Sequence, residues 1–370
     1  MKKYIFLFIL LFTFSSFLQE KSNTDIHQQL LDEKLVLVFA GDIMGHSPHY
    51  KAAYDPIKNQ FDYNPSFQHV KPYIEKADFA FANLEVTLAG KPYSGYPNFS
   101  SPDALIDAVK FAGFDAILTA NNHVADRGKA GLERTVKTIG NRNLLFAGSY
   151  LTKEQRDTVY PIIIQRKGLK IAILNATYGT NLNPVYKPNI VNMLDSTEIL
   201  ADISRAKQHK VDLIIAVLHW GVEYELAANE QQKGFANFLR ENGVNMIIGS
   251  HPHVVQNAEY LDNTVPVVYS LGNFISNQRK VNTNGGILLK VEISKISKHI
   301  SSISYLPVFV HRGDLNGKYQ YHLIPTIDFI KSPSKFIIPA PDSLDLVVFD
   351  NNTRMRMKNI ILWDTAFSKK

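Results

Sequence analysis

The chain has 370 residues, 45 % of them hydrophobic and 20 % charged, with 40 Lys and Arg against 34 Asp and Glu and no cysteine. That composition excludes a disordered or coiled-coil chain, and the lack of thiols excludes disulfide scaffolds, thiolate metal sites, cysteine nucleophiles and lipidation through cysteine. The formal charge of +6 is scattered without a basic run, which argues against a nucleic-acid partner and permits an anionic one.

Lys2 and Lys3 precede an apolar stretch from Tyr4 to Leu18 that is broken only by Thr13, Ser15 and Ser16. It is shorter than the roughly 20 residues a spanning helix needs. A basic start followed by an apolar middle predicts a secretory signal over residues 1–20, either cleaved or kept as an N-terminal anchor. The expected location is therefore the cell envelope, periplasm or exterior, with membrane attachment through the N-terminus open.

Apolar runs of strand length follow at Leu35–Ala40, Phe79–Ala82, Ala116–Thr119, Ile171–Asn175, Leu213–Leu218, Met246–Ile248 and Val265–Leu271. Between them, Ser101–Ala112, Lys129–Arg142, Thr197–Gln208 and Asn229–Glu241 carry helical periodicity. Strands alternating with helices predict an α/β protein with a largely parallel sheet. Beyond Gly285, Ile287–Ile293 and Ser302–Val310 succeed one another with no helix between, which predicts an antiparallel region. The tail alternates Pro-containing turns with Phe336-Ile337-Ile338 and Leu346-Val347-Val348-Phe349. The chain exceeds the roughly 250–300 residues at which one core stops growing. We therefore expect a main domain over 31–310 and a C-terminal extension over 311–370, with no sharp boundary between them.

Six of these runs end in polar groups: Gly41-Asp42, Asn83-Leu84-Glu85, Asn121-Asn122-His123, His219-Trp220-Gly221, Gly249-Ser250-His251-Pro252-His253 and Gly272-Asn273-Phe274. Ligands of open parallel sheets bind beyond the carboxyl ends of the strands, so the six ends should converge. Their oxygen and nitrogen donors suit Mn, Fe, Zn or Mg. Each piece alone has an ordinary reading: an Asp after a strand caps a turn, and Asn-Asn prefers left-handed turns. In His251-Pro252-His253, an extended backbone would aim both imidazoles at one ion or ion pair. It is the joint occurrence at the same end of each strand that favours a metal site.

Gly41-Asp42-Ile43-Met44-Gly45, Ala82-Asn83-Leu84-Glu85, Ala120-Asn121-Asn122-His123 with Asp126 and Gly128, His219-Trp220-Gly221-Val222-Glu223-Tyr224, Gly249 to Gln256 and Tyr269 to Phe274 occur in that order over 35–291. This series resembles the CapA family of poly-γ-glutamate capsule-synthesis proteins, relatives of the calcineurin-like metallophosphoesterases. The resemblance implies a four-layer α/β/β/α sandwich with a dinuclear metal site. It implies Asp42, Glu85, Asn122, His219, His251 and His253 as metal ligands, with Asn83 competing with Glu85 for the bridging place, and His123 as the catalytic histidine. Met44 departs from the phosphoesterase pattern, which has a histidine there; His46 is the nearest substitute, and a one-ion or altered site stays open.

Around these residues Trp220 and Tyr224 read as wall packing or substrate stacking. Glu223 reads as a carboxylate orienting a histidine or as surface, and Asp126 as a partner of His123 or as a helix cap. Two functions fit. One is an exported metal-dependent hydrolase using metal-activated water on a phosphorylated or polymeric substrate, with one or two Mn, Fe or Zn ions. The other is a non-catalytic part of envelope polymer assembly that holds an anionic polymer and works with membrane-bound capsule-synthesis proteins.

Overall fold

The computed structural model describes residues 32–315 and 318–363. The signal or anchor expected over 1–20 lies outside the described residues. Among the described residues no helix is long and apolar enough to cross a membrane.

Two large sheets form the molecule. In the nine-stranded sheet, Lys34–Ile43, Phe79–Leu84, Ala116–Leu118 and Leu145–Ala147 run parallel. The sheet continues on the other side of Lys34–Ile43 through the antiparallel strands Gly285–Ser294, Ile300–Leu315 and Lys318–Pro325. In the six-stranded sheet, Leu169–Thr177, Leu213–His219, Met246–Ser250 and Val265–Val268 run parallel, with Ile162–Arg166 and Ala258–Leu261 antiparallel at the edges.

Strand periodicity builds the layers. Along Lys34–Ile43, Leu35, Leu37 and Phe39 enter a buried cluster with Ile171, Ile173, Ile215 and Ile247 of the other sheet. The alternate residues Val38 and Ala40 enter a second cluster with Leu105, Ile106 and Val109 of the Ala104–Phe111 helix. Successive side chains on a strand face opposite ways, so one strand feeds both layers. Ile199 and Ile203 of the Ser196–Gln208 helix and Ala236 and Leu239 of the Glu230–Glu241 helix cover the six-stranded sheet. The result is the expected helix–sheet–sheet–helix sandwich.

Two departures from the sequence reading matter for the site. The expected strand Val265–Leu271 stops at Val268. The chain then leaves one sheet for the other: Leu271 N donates to Gly249 O at 3.0 Å, Gly272 O accepts from Asp42 N at 3.0 Å, and Asn273–Ile275 pairs beside Lys34–Ile43. This crossing stitches the two sheets together at the strand ends. In the tail, Leu346-Val347-Val348-Phe349 lies within the helix Ala340–Arg356, with Leu346 and Phe349 buried and Val347 and Val348 exposed. The strand Ile300–Leu315 passes through position 310, and Lys318–Pro325 extends the same sheet.

Candidate metal centre

Parallel strands put their carboxyl ends on one edge, and both sheets bring that edge to the same place. Asp42 lies beside Asn83 in register, with a bulge in the ladder on each side of it. Such irregularities re-aim a side chain out of the pleat. Two glycines allow the close approach: a Cβ on Gly41 would lie 2.0 Å from Gly272 O, and one on Gly249 would lie 1.8 Å from Tyr269 O.

Asp42, Glu85, Asn122, His123, His219, His251 and His253 are all buried. Ligand atoms of Glu85, His219 and His251 lie within 4.8 Å of one another, as do those of Asp42, Glu85 and His253. Glu85 belongs to both triads. Asn122 joins through Oδ1, 2.9 Å from His219 Nε2. The six residues named from the resemblance are thus brought together around one carboxylate.

The residues between them have separate work. Asn83, the rival of Glu85 in the sequence, donates to Asp42 Oδ1 at 2.7 Å and so holds that carboxylate. Asn121 donates to Leu84 O at 2.8 Å and accepts from His123 N at 3.1 Å, which pins the loop carrying Asn122 and His123. Asn273 Oδ1 sits 3.1 Å from His253 Nδ1. Asp126 is the partner of His123, with Oδ2 at 2.7 Å from Nδ1, and it makes no cap on the helix Gly128–Gly140.

One geometric expectation fails. The His251-Pro252-His253 segment is not extended: His251 has φ 100° and His253 φ 58°. The two rings do not point the same way by strand pleat; they reach different triads because each residue turns through the left-handed region, with ring centroids 6.0 Å apart. Non-glycine residues held there store strain that the surrounding structure must support.

The electrostatics fit a cation. Neither oxygen of Glu85 has a hydrogen-bond partner, and neither has His251 Nδ1. Burial, then the Asp42 carboxylate, pushes the Glu85 carboxyl well above its usual range. Burial, then the neighbouring histidines, pushes His219 well below its own and His251 down to about 3. Buried polar atoms are nearly always satisfied, so unpartnered polar atoms gathered in one place ask for a partner that is not protein. A divalent ion bound by carboxylate oxygens and neutral imidazoles supplies it. This set of donors therefore fits a metal.

Met44 is buried in the apolar cluster and offers no imidazole. His46 does not replace it: it belongs to neither triad, its Nδ1 accepts from Asn277 N at 3.3 Å, and its ring packs edge-on against Phe99. Both residues line a cavity of about 310 Å³ together with Tyr96, His123, Tyr224 and His253. Glu223, 4.0 Å from His253 Nε2, also lines it. Trp220 is wall packing, buried and donating to Tyr269 O at 3.0 Å. Tyr178 was missed by the sequence reading; its ring centroid lies 4.5 Å from that of His251 and stacks over His219 at 6.3 Å. Its signal was its place just past the Leu169–Thr177 strand, whose end was not counted among the polar strand ends.

The fold and the residues define an α/β sandwich with two buried His/carboxylate triads where its two sheets meet. Residues 36–278 match the family described as bacterial capsule synthesis protein PGA_cap, and the chain belongs to that family. It is 29 % identical over 275 residues to the capsule biosynthesis protein CapA of Bacillus anthracis, covering 71 % of this chain and 64 % of that relative. It is 28 % identical over 301 residues to the PGA biosynthesis protein CapA of Bacillus subtilis (strain 168), covering 78 % of this chain and 75 % of the relative. Among solved structures, similarity extends to a phosphatase from Mycoplasma pneumoniae (18 % identity, TM-score 0.46, 75 % of this chain and 94 % of that one). It also extends to the NAD nucleotidase of Haemophilus influenzae (16 % identity, TM-score 0.49, 90 % and 64 %). At that level of likeness these structures say nothing of substrate.

Proposed function

We propose that this chain is an exported protein of envelope-polymer synthesis whose strand-end cluster binds a divalent metal and hydrolyses an ester, phosphoester or amide bond in an anionic substrate. The observation that carries the reading is Glu85, a fully buried carboxylate shared by two ligand triads with neither oxygen hydrogen-bonded. The residues that would hold the metal are Asp42, Glu85, Asn122, His219, His251 and His253. When bound, a divalent ion supplies an acidic water near neutral pH and an electrophile for a phosphoryl or carbonyl oxygen.

The chain's own residues supply the rest. Asn83 and the His251 backbone N–H, 3.3 Å from Asp42 Oδ2, keep the Asp42 carboxylate oriented. Asp126 faces Nδ1 of His123, which favours the proton there and leaves Nε2 to exchange one with the substrate. With Nδ1 held by Asp126, the ring is oriented so that His123 can hand a proton from Nε2 to a leaving group. Membership of a capsule-synthesis family is the reason for taking capsule polymer, poly-γ-glutamate among the candidates, as the substrate of this reading, which also expects membrane-bound synthesis proteins as partners.

Met44 favours a second reading, a non-catalytic polymer-binding component, because a thioether stands where a phosphoesterase has a histidine and, among the described residues, no other imidazole takes its place. Metal analysis of the full chain, then a screen of phosphomonoesters, phosphodiesters and γ-glutamyl peptides, separates the two. Turnover that appears with Mn and vanishes with chelator supports hydrolysis. Bound metal without turnover on any of them supports the second reading, and no bound metal refutes the first.

A further inference from the structure

A second cavity, of about 500 Å³, adjoins the one over the ligands, and Tyr96 lines both. Tyr50 and Tyr93 form further walls of it, and Arg127 and Asn98 also face it. We propose that this cavity is a substrate subsite in which Arg127 binds an oxyanion of the molecule whose bond reacts at the metal centre. The proposal rests on the metal-site reading above for the position of that bond, and on this cavity alone for the anion.

The arginine is held yet available. Its Nη1 donates to Pro92 O at 3.1 Å and to Ser94 Oγ at 3.0 Å. Among the described residues it forms no ion pair, and no other hydrogen bond of its guanidinium is present. The nearest acid in sequence, Asp126, also lines the cavity but is occupied: Oδ2 accepts from Phe99 N at 2.8 Å and meets His123 Nδ1 at 2.7 Å. A tethered guanidinium with free N–H donors matches a carboxylate or a phosphate, which it can grip through two parallel bonds.

The walls are preorganised. Ser94 and Ser100 exchange backbone hydrogen bonds of 3.0 and 2.9 Å, and Gly95 N donates to Ser47 Oγ at 3.1 Å. A segment fixed in this way loses little freedom when ligand binds. Because Asp126 joins His123 on one side to the Arg127 cavity on the other, a substrate spanning both would carry two polar groups on one chain. An acidic polymer carries such groups as successive carboxylates, and a substrate with a second phosphate carries them as well. The shared chemistry is an oxyanion on Arg127.

Calorimetric titration of the full chain loaded with Mn, using a γ-linked glutamate pentamer in one arm and inorganic phosphate in the other, tests this without reading turnover. The parent should bind at least one probe, and the preferred probe names the source of the anion. Arg127→Gln should weaken that binding about 10- to 100-fold, the scale of one lost charge-assisted contact, with Mn content unchanged. Arg127→Lys should recover part of the loss, because it restores charge without the fork. If Arg127→Gln does not fold, Tyr96→Ala, at a residue 76 % exposed, should lower affinity several-fold. Equal affinity of Arg127→Gln, loss of Mn together with affinity, or no binding of either probe by the parent at millimolar concentration overturns the proposal. Binding without turnover keeps the subsite and discards hydrolysis, while turnover with Arg127-independent binding does the reverse.

Discussion

Glu85→Gln tests whether the buried carboxylate is there for a cation. An unsatisfied buried polar group costs about 1–3 kcal/mol, and Glu85 has two orphaned oxygens beside the Asp42 carboxylate. Its folded pKa is raised above the ordinary 4.5, so the stability it contributes is present below 4.5 and lost as pH rises through the folded value. At pH 8 a chelated parent must in addition bury the charge or hold a proton against the solvent pH, a cost that the neutral amide, itself a buried polar group, escapes. Chelated Glu85→Gln should therefore be more stable than the chelated parent, by about 1–2 kcal/mol at pH 8. With metal the order reverses. A ligand at 100 times its dissociation constant adds about 2.7 kcal/mol to the parent, and the uncharged amide should forfeit most of it. Since about 1 kcal/mol moves the melting temperature by roughly 2–4 °C in domains of 150–250 residues and less in larger ones, calorimetry of both proteins, with chelator and with Mn, resolves the crossing. A variant that keeps the parent's rise with Mn, or that is less stable than the parent in chelator at pH 8, refutes the reasoning.

His123→Ala should leave Mn content unchanged and lower turnover by about 10²–10⁴-fold. Nitrophenyl esters should lose less than alkyl esters, and loss of Mn would make His123 a ligand instead. In chelator, the folded pKa values of His219, His251 (about 3) and His46 (about 4) lie below the ordinary 6.5 because burial penalises the cation. Their stability is present above pH 6.5 and lost as pH falls towards 4 and 3, so urea midpoints of Glu85→Gln, which lacks the opposing titration of that carboxyl, should drop steadily from pH 7 to 4; a flat profile there counts against their burial as neutral rings. Gly249→Ala should cost at least the upper part of the about 1–3 kcal/mol typical of overpacking, because the new methyl group meets the Tyr269 backbone oxygen. Denaturation at parental urea concentration would show that the two sheets can part there.

The polar groups at six strand ends were legible because an apolar run followed by a charged or amide residue is local, and parallel alternation alone predicts that such ends share one edge. The parallel strands, the main helices and the antiparallel pair after Gly285 were legible for the same reason: each follows from the spacing of neighbouring apolar residues. The helix Ala340–Arg356 was less so, since Leu346 to Phe349 is a short apolar run that periodicity does not assign.

How the ligands divide was decided elsewhere. Asn83 and Glu85 are two residues apart and chemically plausible in the same role; only the approach of His219 and His253 from the second sheet puts Glu85 at the centre and leaves Asn83 holding Asp42. His251 and His253 reach different triads through positive φ angles that histidine, like any non-glycine residue, adopts in only a minority of cases. Asp126 is held toward His123 by the Phe99 N–H of a distant segment, and Tyr178 lies over two histidines through contacts between elements. The sequence by itself determined which donors exist and at which strand ends they stand, because those depend on residue type and short-range spacing. Tertiary structure decided which donors face one another, because that depends on how two sheets pack and on where the chain crosses between them at Tyr269–Asn273.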